Sequence, residues 1–544
     1  MNKLSAFFSF LFFWLLAFVL YHKTAGAGFA FDHIGWLQNY SDKGWKGIVT
    51  AFDDKSLHYG YHLFGFTAWK LFGLNGTGWM ALFITLHAVN AALSFVVFKT
   101  LFKSIGVKRA SLTAFLGSVL FIVSPYQTEP VIWYACIHYL FCVALLLSSS
   151  IFLFYYLRKK QWLYVFLFYA AYTLALFTLE ISFAYPVLLF LFFLFWQPQI
   201  LNGSSRIRLI GIFVLPATAM LLGYFVLSYF LRGSAVGHYG AEAHLNFSIP
   251  LLMANLSKYI GKVFLLCQFY EYEKRHALFL LFEKVKFGWL LFAALALVAS
   301  LFMIFKKRMN VKLQTAILLF GFFAVALLPI LNLFVTYIVN VEGDRFLYFP
   351  LIFAYQFLSF TVLALLGYAG IVPMVAFIFL NVNYQQFNTQ SWVLANETRT
   401  SLLESFRWWN APRIYLLNNP DNFRGVYMFR CFPPDNLFAE TLELTTAKKV
   451  EQKMFDTYQY NMNSVNDCVK VEKISDNELK VTFAQWGNWW WYKGIGAAPV
   501  SNDLFDLKVA DEWNHSYAIQ FKEKIPGTVY LYQCGGEWKQ VEGF

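Results

Sequence analysis

Before residue 382 the chain is a succession of long apolar runs separated by short basic clusters, a pattern open to few folds. An apolar stretch of about 20 residues crosses a bilayer as a helix, because lipid offers the backbone no hydrogen-bond partner. Runs near 4–20, 79–98, 111–125, 131–157, 161–179, 181–197, 209–231, 287–305, 313–337, 346–367 and 369–382 predict about eleven transmembrane helices. The first run has no small-x-small cleavage site after it and reads as an uncleaved span rather than a signal peptide.

The basic clusters orient these spans. Lys3, "KTLFKSIGVKR", "RKK", "RIR" and "KKRMNVK" all fall on one side when the spans alternate, and positive charge marks the cytoplasmic side. An odd span count then predicts a cytoplasmic N-terminus and an extracytoplasmic C-terminus, as in an integral protein of a bacterial inner membrane with a periplasmic domain. The same distribution accounts for the net charge of +12 without nucleic acid, since the cations form no single face. Only 14% of the 544 residues are charged, and the deficit lies in the apolar part. The 63 phenylalanines suit helices that face lipid and pack on one another.

Two large outer loops are expected, at about 21–78 and 232–286. In the second, "LLMANLSKYIGKVFLLCQFYEYEKR" is apolar on one side and polar on the other, which predicts a segment lying in the interface. After residue 382 charge, Asn and Pro rise. A linker at 383–409 leads into a β-rich or α+β domain at 410–544, where "CVKVEKIS", "ELKVTFAQW", "YAIQFKEKI" and "TVYLYQC" alternate like half-buried strands. "NNPDNFRG" around Asp421 reads as a turn. Cys468 and Cys534 are able to pair, with Cys431 left over. No repeat is visible.

Ionisable groups near span ends are the candidates for chemistry. Asp32 follows the first span. Glu129 stands in "SPYQTEPVIW", Glu180 in "FTLEISFAYP", and Asp344 and Arg345 in "EGDRFLYFP". Each alone reads as an interfacial charge or a cap; all at one membrane level, they read as a shared site. A phosphate at headgroup level needs a cation, and an acceptor hydroxyl needs a base. No Cys or His spacing specifies a metal and no cofactor is certain; a divalent metal stays an unsupported alternative, since His58 and His62 have helical ligand spacing but no third ligand nearby. In "AQWGNWWWYKG", Trp486, Trp489, Trp490, Trp491 and Tyr492 offer faces for a sugar, a core or the bilayer interface.

In order and spacing, Asp32, "LFGLN", "LHAVNAAL", "SPYQTEPV", "LEISFAYP" and "DRFLYFP" resemble TMTC-type and bacterial O-mannosyltransferase-like proteins of GT-C architecture, over roughly residues 1–380. The resemblance implies an inverting transfer of a sugar from a polyprenyl-phosphate-linked lipid to a protein or glycan hydroxyl. Asp32 takes the place of the catalytic base, with Glu129 positioning the base or acceptor. Arg345, Tyr348 and His138 fall where the donor phosphate is held. His87, Asn90 and Glu180 support the site, and Asp53 and Asp54 are the alternative base. The chain departs from the pattern at His33, where a second acid is expected, at Ser124 in place of His, and at His138 in place of Arg. The tetratricopeptide tail is replaced by the β-rich domain. The other reading is a non-catalytic membrane scaffold, transporter or assembly subunit that keeps the same fold.

Overall fold

A computed structural model describes residues 3–50, 57–196, 205–233, 248–305, 309–332, 343–431, 436–451, 453–483, 499–509 and 515–544. Among these, seven helical stretches are long and apolar enough to cross a membrane: Phe7–Thr24, Gly76–Ser104, Tyr134–Lys159, Arg206–Leu231, Val285–Phe305, Val311–Leu331 and Pro350–Ser405. An eighth is a broken pair, Ala110–Val123 and Pro125–Ile132, bent by 57°. Trp162–Leu176 and Glu180–Phe195 are apolar but shorter. Side chains such as Leu290, Phe230 and Leu365 are widely exposed along these helices, as lipid-facing positions are. The chain is a polytopic membrane protein with a β-rich C-terminal part.

The helix ends follow local chemistry. Asn75 starts Gly76–Ser104 by accepting from the backbone of Thr77 at 3.1 Å and Gly78 at 3.2 Å. Asn310 starts Val311–Leu331 in the same way, through Lys312 N at 2.9 Å. Pro186, Pro216, Pro250 and Pro350 sit in first turns, where no donor is lost. Ser124 is extended because Pro125 follows it, so the helix Ala110–Val123 stops there.

Two units are compact by themselves. The first comprises Met1–His22 and Lys43–Asn388. Its helices are joined by buried side chains that bond backbone carbonyls of neighbouring helices. Gln356 Nε2 donates to Ala114 O at 3.1 Å, Ser359 Oγ to Thr113 O at 2.9 Å and Ser149 Oγ to Phe168 O at 3.2 Å. Gly117 lets Pro350–Leu366 approach: a Cβ there would lie 2.6 Å from Gln356 Cδ.

The second unit comprises Lys23–Asp42 and Thr389–Phe544. Arg413–Leu416 runs parallel to both Val529–Cys534 and Lys453–Asp456, and Glu537–Gln540 closes the sheet as a hairpin. A five-stranded antiparallel sheet holds Val469–Ser475, Glu478–Phe483, Ser516–Phe521, Phe505–Val509 and Val500–Ser501. Four of these nine strands lie where alternation places them. Cys468 and Cys534 form a disulfide between the two sheets. Lys23–Asp42 is built into this unit. Gln38 Nε2 donates to Glu440 O at 3.1 Å, Arg399 Nη2 to Gly26 O at 3.1 Å, and Phe31 stacks on Tyr427 at 5.0 Å.

Four sequence expectations change. The first outer loop is largely helical, over Asp32–Thr50 and Tyr59–Phe72. The expected linker is helix up to Ser405, because "NYQQFNTQSWVLANETRTSLLES" has no Gly or Pro to stop it. "NNPDNFRG" is the strand Asn419–Phe423 followed by a turn at Arg424–Gly425, and Asp421 is buried against Arg430 at 2.7 Å. The helix Ile249–Leu265 turns Asn255, Lys258 and Lys262 into the protein, so its polar stripe faces partners and not headgroups.

The disulfide closes a loop with a sequence separation of 66 residues, which limits the unfolded chain. Replacing Cys468 and Cys534 by Ser is expected to cost the C-terminal unit about 2–4 kcal/mol. Denaturant unfolding followed by the fluorescence of that unit checks this.

Candidate functional site

The broken helix is the starting point. Pro125 ends one helical segment, and Thr128 Oγ1 closes the turn on Pro125 O at 2.9 Å. The short helix Thr128–Ile132 then presents Glu129, which is completely buried. A buried carboxylate needs several donors. Glu129 takes three from one turn: Gly343 N at 3.3 Å, Arg345 N at 2.7 Å and Arg345 Nη1 at 2.5 Å. Gly343 has φ +85, a left-handed conformation that a side chain would strain. The Arg345 side chain is 15% exposed, with its guanidinium 4.8 Å from the Phe346 ring and 5.3 Å from the Trp133 ring.

A second ion pair lies on the same turn. Asp344 is buried and bonds Lys262, from the helix Ile249–Leu265. Lys262 stands 5.5 Å over the Tyr126 ring, and Tyr126 Oη donates to the Lys262 carbonyl. Gln268 lies on the same side and helps hold the Asp344 carboxyl down. Burial pushes the Asp344 carboxyl up to about 7; Lys262 pulls it down and Glu129 pushes it up. Thus two acids and two cations occupy one buried cluster, built from the turn Pro125–Ile132, the turn Asp344–Leu347 and the helix Ile249–Leu265.

Other candidates fall elsewhere. Tyr348 is buried, and its hydroxyl is 3.0 Å from His87 Nδ1 and accepts from Asn90 Nδ2 at 3.0 Å. Asn90 Nδ2 also donates to Leu140 O at 2.9 Å. These three motif residues meet as a bond network inside the bundle. Ser124 Oγ lies 2.7 Å from Tyr355 Oη. Glu180 pairs with His58 Nε2 at 2.7 Å. His138 packs its ring 4.5 Å from Tyr61 and 4.7 Å from Tyr139.

Asp32 is exposed in the first turn of Asp32–Thr50 and belongs to the second unit. Its neighbour His33 is buried beside Phe29, and burial lowers its pKa to about 3, so it is neutral. Asp53, Asp54 and the tryptophan run 486–491 with Tyr492 lie outside the described residues. Among the described residues no three His, Cys, Asp or Glu side chains form a metal-binding group.

Lys262 escaped sequence reading. The signal was there: Asn255, Lys258 and Lys262 fall on one face of an otherwise apolar helix, which also describes an interfacial segment. An apolar cavity of about 70 Å³ also lies between helices, lined in part by Phe98, Leu146, Leu189, Phe322, Phe349 and Phe353. Phe349 follows Arg345 by about one helical turn.

Removing one partner of a buried ion pair costs about 3–5 kcal/mol, because the other charge is left alone. Glu129→Gln is therefore expected to lower thermal stability in detergent, and the double change Glu129→Gln with Arg345→Met to recover part of the loss. Thermal unfolding of the three proteins checks this. Compared with known proteins, the chain matches no family model and no curated relative.

Proposed function

We propose that this protein is a membrane glycosyltransferase of GT-C architecture that moves a sugar from a polyprenyl-phosphate-linked lipid to a protein or glycan hydroxyl outside the cytoplasm. The observation that carries the reading is the Glu129–Arg345 pair. "SPYQTEPV" and "DRFLYFP" are far apart in sequence, yet their charged residues meet at 2.5 Å beside a break in a membrane helix. A break in a spanning helix is tolerated where it is packed in protein or lines a site. Arg345, partly exposed, is the group offered to a lipid phosphate, and a developing phosphate charge is well met by a guanidinium. Asp32 is the assigned base, on its place after the first span and its exposure.

The proposed topology has all eleven apolar helices crossing. It counts Pro350–Leu366 and Ile371–Ser405 separately and includes the two shorter helices. The C-terminus then lies outside, where a disulfide persists. Topology reporters fused at residues 40 and 450 are expected to behave alike; opposite signals overturn this arrangement.

A scaffold without catalysis is the second reading. It is favoured by His33, a neutral buried ring where the family has an acid. Turnover separates the two. Purified protein given a panel of polyprenyl-phosphate sugars and acceptors is expected to transfer one of them, with inversion. Asp32→Asn is expected to abolish transfer while leaving expression and donor binding nearly unchanged, since Asn caps a helix about as well as Asp. Arg345→Ala is expected to lose transfer and donor binding together. Full activity in Asp32→Asn removes Asp32 from the chemistry and leaves the transferase reading intact.

A further inference from the structure

The buried cluster is electrically balanced before any substrate arrives. Above about pH 7, Glu129 and Asp344 carry the negative charge, and Arg345 and Lys262 the positive. A lipid phosphodiester brings one more negative charge into this low-dielectric place. An uncompensated charge there is costly, so the site must take up a positive charge or shed a negative one.

Arg345 is held by Glu129 through its own backbone as well as its side chain, so that carboxylate also fixes the turn. Asp344 has no such task. Its ion pair is with Lys262, and no backbone amide holds it among the described residues. Lys262 pairs with Asp344, the residue just before Arg345, so both cations of the cluster meet at one turn. Beside them lies the Tyr259 hydroxyl. It is fully buried, feels the charges of Asp344, Arg345 and Glu129, and has no hydrogen-bond partner among the described residues. A donor left alone amid these three charges marks room for an acceptor.

We propose that Lys262 is the second cation of the phosphate site, and that a phosphodiester takes the place of Asp344 beside it while Asp344 takes up one proton from solvent. This rests on the lipid-phosphate reading above. Only an O–H bond forms: the carboxylate becomes a carboxyl, and the cluster stays neutral with the diester bound. Every group facing Asp344 bears on this exchange: Lys262 and Tyr259 from one helix, Gln268 after it, Glu129 and Tyr126 from the broken helix, and Tyr355 from Pro350–Leu366. Burial already brings the Asp344 carboxyl up to about 7, and a bound anion raises it further. Below about pH 7 Asp344 is protonated in the free protein, and affinity is flat with pH. Above it each bound diester must bring a proton, and affinity falls.

The experiment uses the full chain in lipid nanodiscs and farnesyl methyl phosphate, a diester that does not titrate between pH 6 and 9. Its Kd is expected to rise about tenfold per pH unit from about pH 7.5 to 9. Calorimetry in buffers of different ionisation enthalpy is expected to find about one proton taken up per diester at pH 8. Asp344→Asn is expected to bind with no pH dependence in that range, and Lys262→Met to bind at least about tenfold more weakly at pH 6. If Asp344→Asn does not fold, the proton count of the natural protein decides. Binding that is independent of pH, with no proton uptake, overturns the exchange and leaves the transferase reading standing. No diester binding at any pH overturns both.

Discussion

One carboxylate organises the membrane part. Glu129 is buried in an apolar bundle, where a carboxylate without donors is costly, and among the described residues its three donors come from Gly343 and Arg345. This ties the broken helix to the turn that opens Pro350–Leu366. The same turn puts Asp344 against Lys262, and its next residues send Tyr348 to His87 and Asn90. A polar layer thus runs through the bundle from a single anchoring point. The surrounding packing is apolar and aromatic, and it is the bonds that fix which faces meet.

The wider architecture obeys the same rule. In lipid, helices gain little from hiding apolar surface from each other, so directional contacts set the register. Gln356, Ser359, Ser149 and Asn255 each bond a carbonyl on a neighbouring helix or at its end. Close approach at Gly117 makes one of these bonds short enough to form. Val285–Phe305 has few such groups and is the most exposed of the long apolar helices.

Much of this was legible in advance, and the reasons for the rest are physical. Apolar runs mark spans because the backbone has no alternative in lipid, and strands such as Val469–Ser475 form where alternation puts them. Glu129 and Arg345 were legible as charges too costly to be incidental. Their contact with each other was not, since nothing in either motif encodes distance. Lys262 was hidden because a polar stripe on an apolar helix looks alike whether it meets headgroups or buried carboxylates. The linker was misjudged because polarity after residue 382 marks the end of an apolar run and not the end of a helix.

The makeup of the second unit has a consequence for how the chain comes to be folded. Lys23–Asp42 is made long before the rest of its unit, which resumes only at Thr389. At about 5–20 residues per second, roughly 350 residues of synthesis separate the two, a delay on the order of half a minute. Throughout that time Ile34, Leu37 and Tyr40, all buried in the finished protein, wait for the rest of their unit. The sheets after Thr389 are then the clasp for a segment made long before them, so a ribosome stalled anywhere between residues 42 and 389 leaves Lys23–Asp42 as unfinished as the sheets themselves.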